Sequence, residues 1–278
     1  MSSVAPVRIA CLQEVGTPGD VTANLASLAA AAIRARAAGA QLLITSEMFV
    51  TGYDCGAIDT FAERSTAIID EIQAIARSNG LALLVGMPVP LSGGGTGNCA
   101  VFVDENGTTL ARRTKSHLYG SIDRTRFTEG NEPVTLVDFH GVRIAILICY
   151  EIEFPENARM AALAGADLIL VPTANMSPYE EINEHLIWTR AWENQLFVAY
   201  INHCGDERST HYVGLSSIIG PDGTRLALAG TEPALLVADI DPQLITHVRS
   251  GFGYLADRRP SLYASLTERT PHQESESL

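Results

Sequence analysis

The sequence predicts an α/β protein of four layers, two mixed sheets stacked face to face with a pair of helices over each outer face. Three observations lead there. The chain passes twice through the same order of elements: strand, helix, strand, helix, then a run of strands. Its strongest apolar runs, Ile144 to Ile148 and ADLILVP, are continuous rather than alternating, as in strands buried on both faces. No linker-like break divides the chain before its polar end, so one domain is expected over 1–269, with a polar tail at 270–278. Two sheets covered in this way would bury both sets of apolar runs. The halves share no residue-level repeat, so the relation is an internal pseudo-two-fold of architecture alone, an αββα sandwich.

Val7 to Gln13 reads as the first strand. Asp20 then caps an alanine-rich helix that runs to about Ala38 and stops at Gly39. Gln41 to Thr45 is a second buried strand ending in Ser46-Glu47, and a helix follows from Thr60 to Ser78, with Ile68, Ile69, Ile72 and Ile75 at helical spacing before Asn79-Gly80. Strands are predicted at 81–87, 98–104 and 108–115; a glycine cluster joins the first two and a Glu105-Asn106-Gly107 turn joins the last two. A polar loop and a short strand at 134–138 lead into the second half. There the expectation is strand 142–148, helix 155–164, strand 167–172, helix 178–194, and strands at 196–203, 211–219, 225–229 and 234–240.

Composition narrows the function. A net charge of -13 leaves no basic stripe to neutralise phosphates, which argues against nucleic acid or an anionic membrane as partner. No apolar stretch reaches the roughly 18 residues that span a bilayer, and the N-terminus lacks the pattern of a signal peptide. Five cysteines without CxxC spacing favour reduced thiols, hence a cytoplasmic protein.

The residues with chemical potential sit at predicted strand ends. Cys149 closes the run Ile144 to Ile148, and six residues later Pro155 opens a helix, so a thiol occupies a tight strand-to-helix turn. A free cysteine is also a common small core residue. Glu47, where QLLIT ends, is either a satisfied structural acid or a general base whose pKa desolvation would raise. Lys115 ends TLARRTK; such a lysine either snorkels to solvent or holds an ammonium against a developing oxyanion. Together they form a coherent set. A thiol needs a base or a nearby positive charge, and the backbone N–H of Tyr150 would be a second oxyanion donor. His203, Cys204 and His211 match no standard zinc spacing, and SGGGTGN lacks the Gly-Lys-Ser/Thr of a phosphate loop, so neither metal nor cofactor is expected.

In that order, LLITSEMFVTGYD, RRTKSHLYG and LICYEIEFPENAR resemble the signature blocks of the nitrilase (carbon–nitrogen hydrolase) superfamily, with VPTANM and TRAWENQLFVAYIN similar to its supporting blocks. The resemblance implies the αββα fold, a Glu47–Lys115–Cys149 triad, a small aliphatic or amino-acid carboxamide as substrate, cleaved to acid and ammonia through a thioester, and a homodimer or larger homo-oligomer. An N-carbamoyl amidohydrolase or a nitrilase is the alternative; a non-catalytic scaffold would have lost a triad member. Two departures stand out. Glu151 lies where the family commonly has aspartate, a longer acid that could crowd the turn. No glutamate follows the lysine closely, so Asp123 is the candidate second carboxylate, unless it simply pairs with Arg124 or Arg126. Tyr53, His117, Tyr119, Phe154, Asn175 and Met176 are candidate pocket walls, whereas Arg190, Glu193 and Asn194 are expected to lock the scaffold.

Overall fold

The continuous apolar runs become short, fully buried strands, and a computed structural model describes residues 5–267. The first half holds β1 (Val7–Gln13), α1 (Val21–Ala37), β2 (Leu42–Ile44), α2 (Ile58–Glu63), α3 (Ser65–Asn79), β3 (Ala82–Pro90), β4 (Thr96–Val103), β5 (Thr109–Thr114) and α4 (Gly120–Arg124). The second begins with β6 (Thr135–Phe139), β7 (Val142–Ile146), α5 (Pro155–Leu163), β8 (Leu168–Pro172), α6 (Ile187–Asn194) and β9 (Phe197–Ile201). It ends with β10 (Cys204–Glu207), β11 (Thr210–Val213), β12 (Ser217–Ile219), β13 (Arg225–Leu228), β14 (Ala234–Ile240) and α7 (Pro242–Gly251).

One six-stranded sheet has the order β14-β1-β2-β3-β4-β5 and the other β6-β7-β8-β9-β12-β13. Read in those directions, both alternate identically: antiparallel, parallel, parallel, antiparallel, antiparallel. The echo of element order in the sequence is therefore an echo of sheet topology. The match depends on β14, which leaves its own half and pairs with β1 from Val7–Ile240 to Gln13–Ala234.

Period-2 alternation then sorts the side chains into layers. Ile9, Ile44, Leu84 and Phe102 meet Ile144, Leu170 and Phe197 between the sheets. Their neighbours Ala10, Leu43, Leu83 and Val101 face outward onto α1 and α3 through Leu28, Ile68 and Ile72. On the far side Ala145, Ile169 and Val198 pack under Ala158, Ala161, Ile187 and Ala191 of α5 and α6. Local chemistry sets the ends: the Asp20 side chain accepts from the Ala23 N–H at 2.9 Å, Pro155 takes the first turn of α5, and Gly80 closes α3 at φ 55°.

Several boundaries differ from the expectation. The helix predicted over 60–78 is two, because Arg64 (φ -90°, ψ 1°) breaks it while the apolar spacing carries on across the break. The predicted helix 178–194 has a π-helical turn at Ile182–Leu186 before α6. The predicted strand 211–219 is divided between β11 and β12 because Gly214 and Leu215 adopt φ of 67° and 54°. β10, α4 and α7 lie where no element was expected; β10 and α4 are short, α4 barely one turn, whereas α7 is a ten-residue helix capped by Asp241.

One glycine has a steric reason to be where it is. A Cβ on Gly86 of β3 would lie 2.4 Å from the Ser46 carbonyl oxygen and 2.6 Å from the Met48 nitrogen. That gap lets the turn around Glu47 settle against the neighbouring strand. Since backbone rather than flexible side chain is in the way, Gly86→Ala is expected to lower the urea-unfolding free energy by about 1–3 kcal/mol, the usual cost of overpacking.

Candidate active site

The parallel strands point their carboxyl ends the same way, and the candidate residues leave from those ends. Glu47 follows β2, Lys115 follows β5 directly, and Cys149 follows β7. The two sheets are stitched together there: the Glu47 N–H donates to the Thr173 carbonyl beyond β8 at 3.2 Å. His203, beyond β9, places Nε2 2.6 Å from the Glu47 carbonyl oxygen and 3.1 Å from the Ser46 hydroxyl. A carbonyl accepts only, so that ring nitrogen carries the proton. The exposed His211 instead contacts Asp206 at 2.7 Å.

Glu47 and Lys115 are both about 1% exposed, and Lys115 Nζ donates to Glu47 Oε1 at 2.7 Å. The same oxygen accepts from Asn98 Nδ2 at 2.8 Å and Tyr53 Oη at 2.5 Å, so three donors fix it, while Oε2 has no hydrogen-bond partner among the described residues. Lys115 also donates to Asp123 Oδ2 at 2.7 Å, and that oxygen accepts the Tyr119 N–H at 2.9 Å. Asp123 thus meets Lys115 rather than Arg124 or Arg126; Arg126 lies 3.9 Å from Asp54. Helix α4 makes this possible by turning Asp123 back toward β5. Burial on its own would pull Lys115 toward its neutral form, but the charge of Glu47, with the charge and hydrogen bond of Asp123, outweighs it and raises its pKa.

Cys149 opens a 3-10 turn, Cys149–Glu153, and sits at φ 47°, a left-handed conformation rare for a residue with a side chain. Burial pushes its thiol well above the ordinary value and the Glu47 charge adds to this, while Lys115 and the Ala174 N–H pull the other way. Cys99 and Cys204, also desolvated, are pushed up to about 11.

Glu151 does not crowd this turn. Its carboxylate is fully buried and accepts from Arg113 at 2.6 and 3.3 Å, the Ser116 N–H at 2.7 Å, the Ser116 hydroxyl at 2.5 Å and the Ile148 N–H at 2.6 Å. One side chain therefore clamps the end of β5, which carries Lys115, to the turn that carries Cys149. Arg190 braces the turn from behind, donating to the Ile152 and Glu153 carbonyls at 2.9 and 2.7 Å and pairing with Glu193 at 2.9 Å; Asn194 Nδ2 bonds the Arg190 carbonyl.

These groups surround a cavity of about 90 Å³ that Glu47, Lys115, Asp123 and Cys149 line together. Of the candidate walls, Tyr53, Tyr119, Asn175 and Met176 line it, and Tyr150, considered only for its backbone N–H, lines it too. His117 and Phe154 do not: their rings pack on each other at 4.5 Å, and Phe154 packs edge-on against the Tyr150 ring at 4.9 Å. The reason is the 3-10 geometry, in which residues three apart eclipse. Tyr150 and Glu153 share the cavity side, and Phe154 falls outside it. Glu153, Tyr179, Ile182, Ala174, Ile122 and Tyr212 complete the wall and were not anticipated. Asn98 was also overlooked, although an amide in the middle of the buried strand TGNCAVFV is itself a signal, since a buried amide needs partners.

A sandwich of this topology, with a cysteine beside a buried acid and lysine at its strand ends, is the architecture of the nitrilase superfamily. The chain belongs to the carbon–nitrogen hydrolase family, whose model matches residues 8–250. A hydrolase in the pqqF 5' region of Pseudomonas protegens is 44% identical over 97% of this chain and 95% of its own length. An (R)-stereoselective amidase of Pseudomonas sp. is 33% identical over 94% and 95%. Among solved structures, an amidase from Nesterenkonia sp. superposes with a TM-score of 0.86 at 37% identity, covering 95% of this chain and 98% of the other. A variant of the amidase from Nesterenkonia sp. AN1 carries the acetamide moiety of fluoroacetamide on its active-site cysteine.

Burial lifts the Glu153 carboxyl to about 7 from an ordinary 4.5, against the pull of Lys115 and Arg190. The folded protein thus holds this proton more tightly than the unfolded chain. The group's destabilising effect is absent below the ordinary value and complete above about 7. Glu153→Gln should therefore raise the unfolding free energy at about pH 8, by at most about 3 kcal/mol, and leave it unchanged near pH 4, as chemical denaturation at the two pH values will show.

Proposed function

We propose that this carbon–nitrogen hydrolase is a cysteine amidase that converts a small carboxamide to the carboxylic acid and ammonia. The observation that carries the reading is the free Oε2 of Glu47, a buried carboxylate oxygen without a partner in the cavity that Cys149 lines. The other oxygen is held by three donors, so the carboxylate is oriented before any substrate arrives. The acetamide-modified cysteine of the Nesterenkonia amidase and the name of the (R)-stereoselective amidase support amides as the substrate class.

In this reading Glu47 takes the thiol proton as Sγ bonds to the amide carbon and the carbonyl electrons move onto oxygen. A buried thiol with a raised pKa is not a ready-made thiolate, so proton transfer and attack are linked. Lys115 has three N–H donors and spends two on Glu47 and Asp123. The third, which makes only a long 3.5 Å contact with the Tyr53 hydroxyl, turns to stabilise the oxyanion together with the Tyr150 N–H, which lies in the first turn of its helix, where amides lack intrahelical partners. Asp123 holds Lys115 in place. The C–N bond breaks as Glu47 returns the proton to nitrogen, releasing ammonia and leaving a thioester. Water then attacks the thioester, giving a proton to Glu47; the C–S bond breaks, the acid leaves and the sulfur regains its proton.

The five free thiols support a reducing compartment such as the cytoplasm. Leu163, Tyr263 and Leu266 leave an apolar face exposed beside α5, which supports pairing of two copies. Light scattering should then give twice the 29.8 kDa chain mass, and a monomer would dismiss the pair.

Ammonia release from aliphatic amides, ω-amides, carbamoyl compounds and nitriles tests the activity. Simple amides should be turned over, and Cys149→Ala should abolish turnover. Carbon dioxide appearing with the ammonia would replace the amide with a carbamoyl substrate, and unchanged turnover in Cys149→Ala would end the mechanism. Cys149→Ala is the cleaner variant, since Lys115→Ala would strand two buried carboxylates and cost about 3–5 kcal/mol of stability as well.

A further inference from the structure

Resting on the amidase reading, we infer that Glu153 is a specificity residue that selects amides carrying a protonated amine close to the scissile carbonyl. Glu153 lines the cavity with Cys149, four residues further along the same 3-10 segment. Among the described residues its carboxylate takes part in no hydrogen bond or ion pair. The nearby cations are committed elsewhere. Lys115 is held by Glu47 and Asp123, and Arg190 by two backbone carbonyls and Glu193. A desolvated acid without a partner, facing the space a substrate enters, is a polar group waiting for a cation.

The rest of the wall suits the same ligand. Tyr119 stands edge-on to Tyr150 at 5.3 Å and to Tyr179 at 6.2 Å, and all three line the cavity. Aromatic faces attract a desolvated ammonium through the ring quadrupole, and an uncharged amide gains nothing comparable from them. A carboxylate-bearing amide meets the opposite situation, because Glu47, Asp123 and Glu153 outnumber the one ammonium of Lys115 in the cavity. The small volume requires the amine and the carbonyl to lie near one another, as in an amino-acid amide. Glu153 acts on binding only, and no bond to it forms or breaks. A bound cation would also keep its carboxyl ionised, offsetting the burial that holds the proton on the empty site.

Alaninamide and isobutyramide form an isosteric pair in which an ammonium replaces a methyl group, so their kcat/KM ratio at neutral pH isolates the charge. The wild-type ratio should favour alaninamide, and Glu153→Gln should lower it by about tenfold or more, mainly through KM, with kcat/KM for isobutyramide changing by less than about threefold. A ratio unmoved by Glu153→Gln overturns the inference, as does an equal loss on both amides, which would make Glu153 part of the general machinery. No ammonia from either amide with the wild-type protein would instead overturn the amidase reading, and this inference with it.

Discussion

The buried pair of Lys115 and Glu47 is the interaction on which the rest of the site depends. Each charge would be costly to bury on its own, and at 2.7 Å each offsets part of the cost of burying the other. The pair is not self-sufficient. Asn98 and Tyr53 take the remaining demand of Glu47 Oε1, and Asp123 takes a second Lys115 hydrogen. Such a network stays put because any one member leaving would strand the others. Its asymmetry carries the proposed chemistry, since among the described residues every donor converges on one Glu47 oxygen and leaves the other without a partner.

The sulfur is held by different means. Its backbone is in a left-handed conformation that a free chain would rarely choose, and the turn persists because Glu151 fastens it to Arg113, Ser116 and the Ile148 amide. Glu151 was suspected of crowding this corner, yet it is the strut. An acid that accepts five hydrogen bonds and pairs with a guanidinium can be buried whatever its length, provided the partners surround it. Acids in the same segment have opposite fates for that reason: Glu151 is fully partnered, and Glu153 faces an open cavity without a partner.

Much of the fold was legible because strands and helices announce themselves by period and by their caps. Asp20, Gly80 and Pro155 act where their chemistry says they should. The failures share one cause. The break at Arg64, the π turn at Ile182–Leu186 and the division around Gly214-Leu215 change the backbone without disturbing the apolar pattern that a reader follows. The candidate site was legible as a set of strand-end residues. Its walls were legible only in part, because facing depends on the local helix type: the 3-10 turn after Cys149 brings in Glu153 and turns Phe154 away.

The sequence by itself determined the two rounds of strands and helices, the layering that their apolar runs demand, and the thiol, ammonium and carboxylates at strand ends. It could do so because burial and periodicity act over a few residues at a time. Only the tertiary structure decided that β14 would close the first sheet, that Asp123 would answer Lys115, and that His203 and Asn98 would hold Glu47. Lys115 and Asp123 are eight residues apart, but the other pairings join groups from about fifty to more than two hundred residues apart. Their geometry is set by the stacking of two whole sheets, to which no short stretch of chain holds the key.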